Sequence, residues 1–525
     1  MTIAAERRLS SARRRPPPLL VAGSALAAVL VLLPLAVTVY RAAAVSPAEA
    51  RALLFRPLVG ELLVNTVSLT VAATVISAIL GVGAAWLVER TRLPGQRAWS
   101  VLAAVPLAVP PFISSYAWVS LSPALQDFGG ALLVVSCAYY PLVYLPVAAA
   151  LRGIDPILEE TARSLGLTAW GAFFRVVLPQ LRPALLGGML LIALHMLTEF
   201  GAFALLRFRT FTTELFVEYR TGFNGPDAAL IAVVLLLLCL ICLLAELWVR
   251  GSSSYARSGR GTRRRAVLHD LGPARLPVLI GFTALVMATL GVPIGMILFW
   301  LTRHASAAIA PAEVSAARLL ATTFSSLWLG LAGAALSVVV ALPLSFLASR
   351  YRGGLVSLLE RTVYIAQGVP GIVVALALIA LTIHLVEPLY QSAVLLLFAY
   401  AIMFLPLALV SLRAAFVQAQ PVLEETARSL GLGWIEVARR VTLPLARPGL
   451  GAAAAMVFVS IVTELTATLL LAPIGTETLA TEVWANSHDL AFAAAAPYAA
   501  LMMTLSLLST WLLARRFGSS AFVAV

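Results

Sequence analysis

The chain has 525 residues, 61% of them hydrophobic and only 12% charged, with a net charge of +13. That balance excludes an ordinary soluble globule, because so much apolar surface has no single core large enough to receive it. All 37 basic residues are arginine. Without lysine no Gly-Lys Walker loop can exist, so any ATP hydrolysis must be supplied by another subunit. The arginines are scattered over separate loops, which excludes a nucleic-acid surface.

Along the chain, an arginine-bearing arm (1–18) leads into apolar stretches at 19–40, 61–87, 99–121, 131–150, 184–206 and 229–249. Each is near or above the ~20 residues that cross a bilayer core as helix. A second set lies at 276–301, 319–347, 362–385, 393–413, 448–472 and 495–514, before the tail 516–525. Such long runs fit helices rather than the alternating strands of a barrel. The expectation is an all-α integral membrane protein of twelve transmembrane helices, in two units spanning 19–249 and 276–515. Between them, residues 250–275 carry Gly251, Ser252 to Ser254 and several arginines, and read as a solvated, flexible linker. The first apolar run exceeds a signal-peptide core and lacks a small-x-small cleavage site, so it reads as a retained helix.

With the N-terminus placed in the cytoplasm, 29 arginines fall on the cytoplasmic side and 8 outside, as the positive-inside rule requires. They read as anchors near anionic lipid. Cys137, Cys239 and Cys242 all lie within apolar runs, where a thiol behaves as a small apolar side chain.

The two units repeat one text. Glu159-Glu160-Thr161-Ala162-Arg163-Ser164-Leu165-Gly166-Leu167 returns as Glu424-Glu425-Thr426-Ala427-Arg428-Ser429-Leu430-Gly431-Leu432, 265 residues later. Leu178-Pro179, Arg182-Pro183 and Thr198-Glu199 recur at the same interval. Two copies of one unit stand in tandem, and an even number of helices per unit puts both polar segments on one side, as parallel repeats. Each segment reads as a short helix, a glycine turn and a second amphipathic helix ending at Leu-Pro. Asp155-Pro156 makes a good start, and the glutamate pair near the first turn suits arginines on a docking subunit. The loops involved are 152–182 and 414–447.

Helices three and nine are interrupted near their centres, by Pro106, Pro110 and Pro111 in one unit and by Gly368, Pro370 and Gly371 in the other. These breaks serve either packing or the lining of a pathway. Glu199 and Glu464 are expected in equivalent positions of helices five and eleven, past the Arg-Pro that starts each. An ionisable group in the membrane needs a partner or a wet cavity. The alternatives are a packing bond to a neighbouring helix, or a pair near the pseudo-twofold axis that offers a hard cation a transient site. Thr198 and Thr463 accompany them. His195 shares a helix face with Glu199, where a Glu–His hydrogen bond is expected before a metal site. No permanent metal-ligand set stands out, and the five histidines form no HxxxH or HExxH cluster.

Glu160-Thr161-Ala162, then Gly166, then Val176-x-Leu178-Pro179 resembles the EAA motif of ABC importer permeases. Glu425-Thr426-Ala427, Gly431 and Val441-x-Leu443-Pro444 match it again, with threonine for alanine and valine for isoleucine as departures. The resemblance implies two type I ABC importer permease units, with Glu159, Glu160, Ala162, Gly166, Glu424, Glu425, Ala427 and Gly431 in coupling helices. It also implies two copies of an ATP-binding subunit, carrying ATP and Mg, and an extracytoplasmic substrate-binding protein; the chain itself binds no cofactor. The place implied is the cytoplasmic (inner) membrane of a bacterium, multi-pass, with both termini cytoplasmic. Over most of its length, including the run from Leu197 to Phe208 and Thr210-Phe211-Thr212-Thr213-Glu214, the chain is similar to the ferric-iron importer permeases. Fused permeases for thiamine or aminoethylphosphonate are alternatives. An ion-coupled secondary transporter is a different class, which leaves the duplicated motif without a role.

Overall fold

A computed structural model of the chain describes residues 16–222, 225–251, 268–303, 315–419 and 421–517. Most of the N-terminal arm, most of the linker and most of the tail lie outside them. Among the described residues the chain is helical, without a strand; an isolated bridge joins Thr91 and His269. Among the described residues ten helices are long and apolar enough to cross a membrane, and counting each of two sharply bent pairs as one span raises the number to 12, as expected from the apolar runs.

In the first unit, α1 (Pro18–Ala43) and α2 (Pro57–Arg90) are followed by the bent pair α3 (Gln96–Leu102) and α4 (Pro111–Leu121). Next come α5 (Phe128–Tyr139) and α6 (Pro141–Gly153), the short α7 (Pro156–Ser164), α8 (Leu178–Thr198), α9 (Gly201–Leu205), α10 (Phe211–Val217) and α11 (Gly225–Gly251). In the second, α12 (Arg275–Val286) and α13 (Val292–Leu301) together make one crossing, and α14 (Ala316–Arg350) another. The bent pair is α15 (Gly354–Ile365) with α16 (Gly371–Leu385). Then follow α17 (Ala393–Gln418), the short α18 (Pro421–Ser429), α19 (Leu443–Val462), α20 (Thr466–Leu471), α21 (Leu479–His488) and α22 (Phe492–Phe517).

The breaks expected at the prolines are far sharper than kinks. The two halves of each pair meet at 93° and 104°. Both junctions are built alike. A 3-10 turn (Val105–Ala108 or Ala366–Gly368) leads to an extended residue, Val109 or Val369, and then to Pro110 or Pro370 as the N-cap of the next helix. The residue before proline is pushed out of the helical region, which sets the corner.

Three expectations are corrected. The runs 184–206 and 448–472 are not continuous helices: α8 stops at Thr198 and α19 at Val462, just before each glutamate, and a short helix follows. Pro179 and Pro444 do not end a helix but stand in the first turn of α8 and α19, after a π-helical turn (Phe173–Val177 and Ala438–Thr442). Pro183 and Pro448 then lie inside these helices rather than at their starts. Third, the linker is not solvated throughout. Its described end, from Leu268, docks on the loop after α2 through paired backbone bonds between His269 and residues Arg90 and Arg92.

The cores cut across the chain division. Ala27, Ala28 and Val31 of α1 pack with Leu329, Val338 and Val356 of the second unit. Phe282, Leu290 and Ile297 of α12–α13, with Tyr498 and Met502 of α22, pack with Phe112, Ile113 and Tyr116 of the first. Because lipid is as apolar as leucine, such helices associate through close packing of small residues rather than by a hydrophobic drive. Gly188 shows how close: a Cβ there would meet the Leu142 carbonyl oxygen at 2.7 Å, so α8 lies directly on α6.

Candidate functional site

Two features converge on function: a cavity at the broken helices and a pair of short helices beyond the bundle. The cavity, of about 470 Å³, is lined at its centre by both junctions of both kinds. Pro110 and Pro111 face it from one bent pair and Val369 and Gly371 from the other. His195, Thr198 and Glu199 face it from the end of α8, and Ser460, Thr463 and Glu464 from the end of α19. From there it runs along Met456 and Val459 of α19 and Thr510 and Leu513 of α22. The structure thus gathers Glu199, Glu464, Thr198, Thr463, His195, Pro110, Pro111 and Gly371, apart in sequence, around one space, with Pro370 next to Gly371. In its wall the two halves approach closely: a Cβ added at Gly201 would lie 3.0 Å from Leu465 Cδ2 and 3.1 Å from Phe112 Cβ.

Each glutamate stands at a break, not within a helix. Glu199 is extended, and its Oε1 accepts the Ala202 N–H at 2.9 Å while Oε2 accepts the Tyr139 hydroxyl at 2.7 Å. Glu464 accepts the N–H groups of Ala467 and Thr468 at 2.9 and 3.0 Å, and the Thr468 hydroxyl at 2.8 Å. Both carboxylates therefore cap the start of a short helix, where open N–H groups favour negative charge. The Glu199 carbonyl freed by its break accepts the Thr212 hydroxyl at 2.6 Å, and the Thr468 hydroxyl lies 3.1 Å from the Glu464 carbonyl, sharing its one proton between that oxygen and the carboxylate. The expected Glu199–His195 hydrogen bond is corrected. His195 Nδ1 bonds the Leu191 carbonyl at 2.8 Å, and Tyr139 takes the carboxylate. No cluster of three metal-binding His, Cys, Asp or Glu residues occurs among the described residues.

The short helices α7 and α18 repeat each other closely. Asp155 caps α7 by accepting the Ile157 N–H at 3.1 Å; Gln420, at the matching place, is outside the described residues. Both helices end on a glycine in the left-handed region, Gly166 at φ 92° and Gly431 at φ 89°. The next N–H reaches back five residues, Leu167 to Ala162 at 3.1 Å and Leu432 to Ala427 at 3.2 Å, a six-to-one closure that favours glycine. Ala162 and Ala427 are buried beneath. Outward, each helix shows an apolar trio, Ile157, Leu158 and Leu165 or Val422, Leu423 and Leu430, and one exposed glutamate, Glu160 or Glu425.

The expectation that both glutamates of each pair face a docking subunit is corrected here. Glu424, only 3% exposed, is gripped by Arg350 at 2.8 Å and by the Thr442 hydroxyl at 3.1 Å. Glu159 turns inward to His269 at 3.0 Å. Only the second glutamate of each pair is presented outward.

Sequence reasoning missed a further repeat. Thr210 and Thr478 both open capping boxes with Thr213 and Thr481, and a buried glutamate follows each, Glu214 on Arg209 at 3.3 Å and Glu482 on Arg318 at 3.1 Å. The signal is Thr-x-x-Thr-Glu in both units, hidden because the interval there is 268 rather than 265.

A helical bundle built twice, with paired short helices and a central cavity, defines a two-unit membrane transport protein. Residues 62–253 and 341–516 each match the family described as binding-protein-dependent transport system inner membrane component. The chain belongs to that family and is a fused, two-unit permease of the ABC importer class. It is 38% identical over 482 residues, 92% of its length and 95% of the relative's, to the Fe(3+)-transport system permease protein FbpB 2 of Haemophilus influenzae. The sulfate transport system permease protein CysT of Escherichia coli is 29% identical over 39% of this chain and 82% of its own. The molybdenum transport system permease protein ModB of the same organism is 27% identical over 36% of this chain and 91% of its own. Those two relatives are about as long as one repeat.

Proposed function

We propose that this chain is the membrane-spanning subunit of an ATP-driven importer for ferric iron. Two copies of an ATP-binding subunit seat on α7 and α18, and an extracytoplasmic binding protein delivers the solute. The observation that carries the reading is the duplication, within one chain, of a capped helix with an apolar trio and one outward glutamate. If each bent pair counts as one crossing, an even number of crossings separates the two helices, so both face the same side. The two ATP-binding subunits, meeting on that side, can then drive both at once.

Ferric iron is supported by the 38% identity over nearly the whole chain to a permease named for that ion. It is also supported by two carboxylates at one cavity, since a hard cation prefers oxygen ligands. The cargo meets Glu199 and Glu464 only in passing, because both carboxylates are already engaged by helix-start N–H groups. The cavity is lined by Ser506, Thr510 and Leu513 of the C-terminal half of α22, which supports an opening toward the side of the coupling helices, and the close approach of Gly201 to Leu465 and Phe112 supports a closed end opposite. Alternating access then consists of opening that closed end when the ATP-binding subunits draw α7 and α18 together. The protein lies in the inner membrane with both termini cytoplasmic, which agrees with the arginine distribution.

The test is assembly. The purified chain mixed with a candidate ATP-binding subunit should form a complex with two such subunits, whose ATP hydrolysis rises on adding iron-loaded binding protein. A complex that never forms, or hydrolysis indifferent to the loaded protein, overturns the proposal.

A further inference from the structure

The two coupling helices repeat one sequence, yet their inner glutamates are held by different means. Glu424 is held from within its own unit. Arg350, the last residue of α14, reaches it with Nη2 at 2.8 Å and Nε at 3.1 Å, and Thr442 adds its hydroxyl at 3.1 Å. In the first unit Val177 stands where Thr442 does, so no hydroxyl is available. Arg90, the last residue of α2, gives its Nη2 to the Leu151 carbonyl at 3.1 Å, and its buried Nε has no partner. Glu159 is bonded instead by Nε2 of His269, at 3.0 Å.

His269 belongs to the linker between the units, and several contacts fix it. Its N–H donates to the Arg90 carbonyl at 2.9 Å and its carbonyl accepts the Arg92 N–H at 3.0 Å. Its ring stacks on Trp86 at 6.3 Å with an interplanar angle of 15°. Next to it, Asp270 pairs with Arg92 at 3.2 Å. A helix of nine residues is not stable alone, so the position of α7 depends on what grips its inner face. In this chain the first unit contributes the packing of Pro156 and Ala162 and the nearby charge of Arg90, while the side-chain hydrogen bond to Glu159 comes from a residue outside it.

We propose that His269 is a positioning residue for coupling. By holding Glu159 it lets the linker, rather than the first unit alone, set where α7 lies beneath its ATP-binding subunit. The inference rests on the coupling role proposed for α7. It makes the two couplings unequal: the second is complete within its unit, and the first is completed by the connection between units.

The experiment uses the full chain assembled with its ATP-binding subunit in proteoliposomes, with iron-loaded binding protein as donor, and reads iron taken up per ATP hydrolysed. His269→Ala should keep ATP hydrolysis and lower that ratio about tenfold, within the usual span of coupling energies. His269→Gln, which retains an N–H donor, should stay near the parent. Val177→Thr, placed in the His269→Ala chain, supplies the hydroxyl that Thr442 gives Glu424 and should restore most of the ratio. A purely structural loss would not be recovered by a single hydroxyl at that place. If His269→Ala does not assemble, recovery of assembly by Val177→Thr supports the inference and lack of recovery overturns it. An unchanged ratio in His269→Ala overturns it as well. If the parent chain takes up iron without ATP, the coupling reading itself fails, a result distinct from a parent that couples and a His269→Ala variant that couples equally well.

Discussion

Tyr139 donates its hydroxyl to Glu199 at 2.7 Å, while in the other half Tyr400 bonds Thr468 at 2.7 Å and Thr468 in turn bonds Glu464 at 2.8 Å. The two tyrosines are not repeat equivalents: Phe404 stands where Tyr139 does, and Tyr400 lies one helical turn earlier. The halves thus solve the same problem, a carboxylate at a helix break facing a cavity, with tyrosines one turn apart. Tyr139→Phe should remove one bond to a charged group and destabilise the α8–α9 junction by about 1.5–3 kcal/mol. Tyr400→Phe acts only through Thr468 and should cost about 1 kcal/mol. Thermal unfolding of the two variants in one detergent gives the comparison; equal losses would mean that the two tyrosines do not differ in this way.

Glu464 carries three donors and Glu199 two. Glu464→Gln keeps an acceptor but loses the charge that favours the start of α20. Uptake should fall about tenfold, equivalent to ~1.4 kcal/mol in a barrier, with ATP-subunit binding intact. Uptake assays beside pull-down of the ATP-binding subunit separate the two effects. Parent-level uptake would remove these carboxylates from the pathway.

Glu160→Ala combined with Glu425→Ala changes only exposed positions. The bundle should remain as stable as the parent, since exposed substitutions usually shift stability by less than about 0.5 kcal/mol, whereas transport should be lost. Size-exclusion behaviour and uptake, measured together, decide it; normal uptake contradicts the assignment of the outward glutamates.

Arg350→Ala leaves Glu424 buried without its main partner and should destabilise the second unit by about 3–5 kcal/mol. Thr442→Val removes a lesser bond and should cost about 1 kcal/mol. The equivalent change in the first unit, Arg90→Ala, should leave Glu159 still bonded to His269. Hydrogen exchange over residues 421–429 and 156–164 reports each coupling helix separately; equal loosening of both by Arg350→Ala would refute the unequal anchoring.

On the other side of the bundle, burial raises the Glu482 carboxyl above its ordinary value, the nearby Glu477 adding to the shift and Arg318 opposing it. The folded chain therefore holds this proton to a higher pH than the unfolded chain does. Linkage makes stability highest below the unfolded carboxyl value and lowers it as pH rises through the folded one. Exchange protection of residues 479–488, corrected for the intrinsic rate, should decline over that window, and Glu482→Gln should flatten the decline. Protection that rises with pH would reverse the sign.

The apolar runs and the repeat made the architecture legible because membrane spans need length and hydrophobicity that few other constraints imitate. Gly166 and Gly431 were legible as turns for the same local reason: only a residue without Cβ enters the left-handed region readily. The breaks at Glu199 and Glu464 were not, since nothing in Leu-Thr-Glu-Phe or Val-Thr-Glu-Leu resembles a helix stop; the partners that meet the polar groups there, Thr212 and Thr468, come from elsewhere in the fold or from the helix that follows. Nor could the pairing of His269 with Glu159 be read from a chain in which the two lie 110 positions apart. The interlock of α1 with the second unit and of α12–α13 with the first is likewise tertiary: any apolar helix fits either core by composition alone.

The most direct test of the account is uptake of radioactive ferric iron into proteoliposomes holding the chain, its ATP-binding subunit and the loaded binding protein. Uptake should require ATP hydrolysis, persist when ion gradients are collapsed, and stop when both outward coupling glutamates are replaced. Iron entry that runs on an ion gradient without the ATP-binding subunit would contradict it.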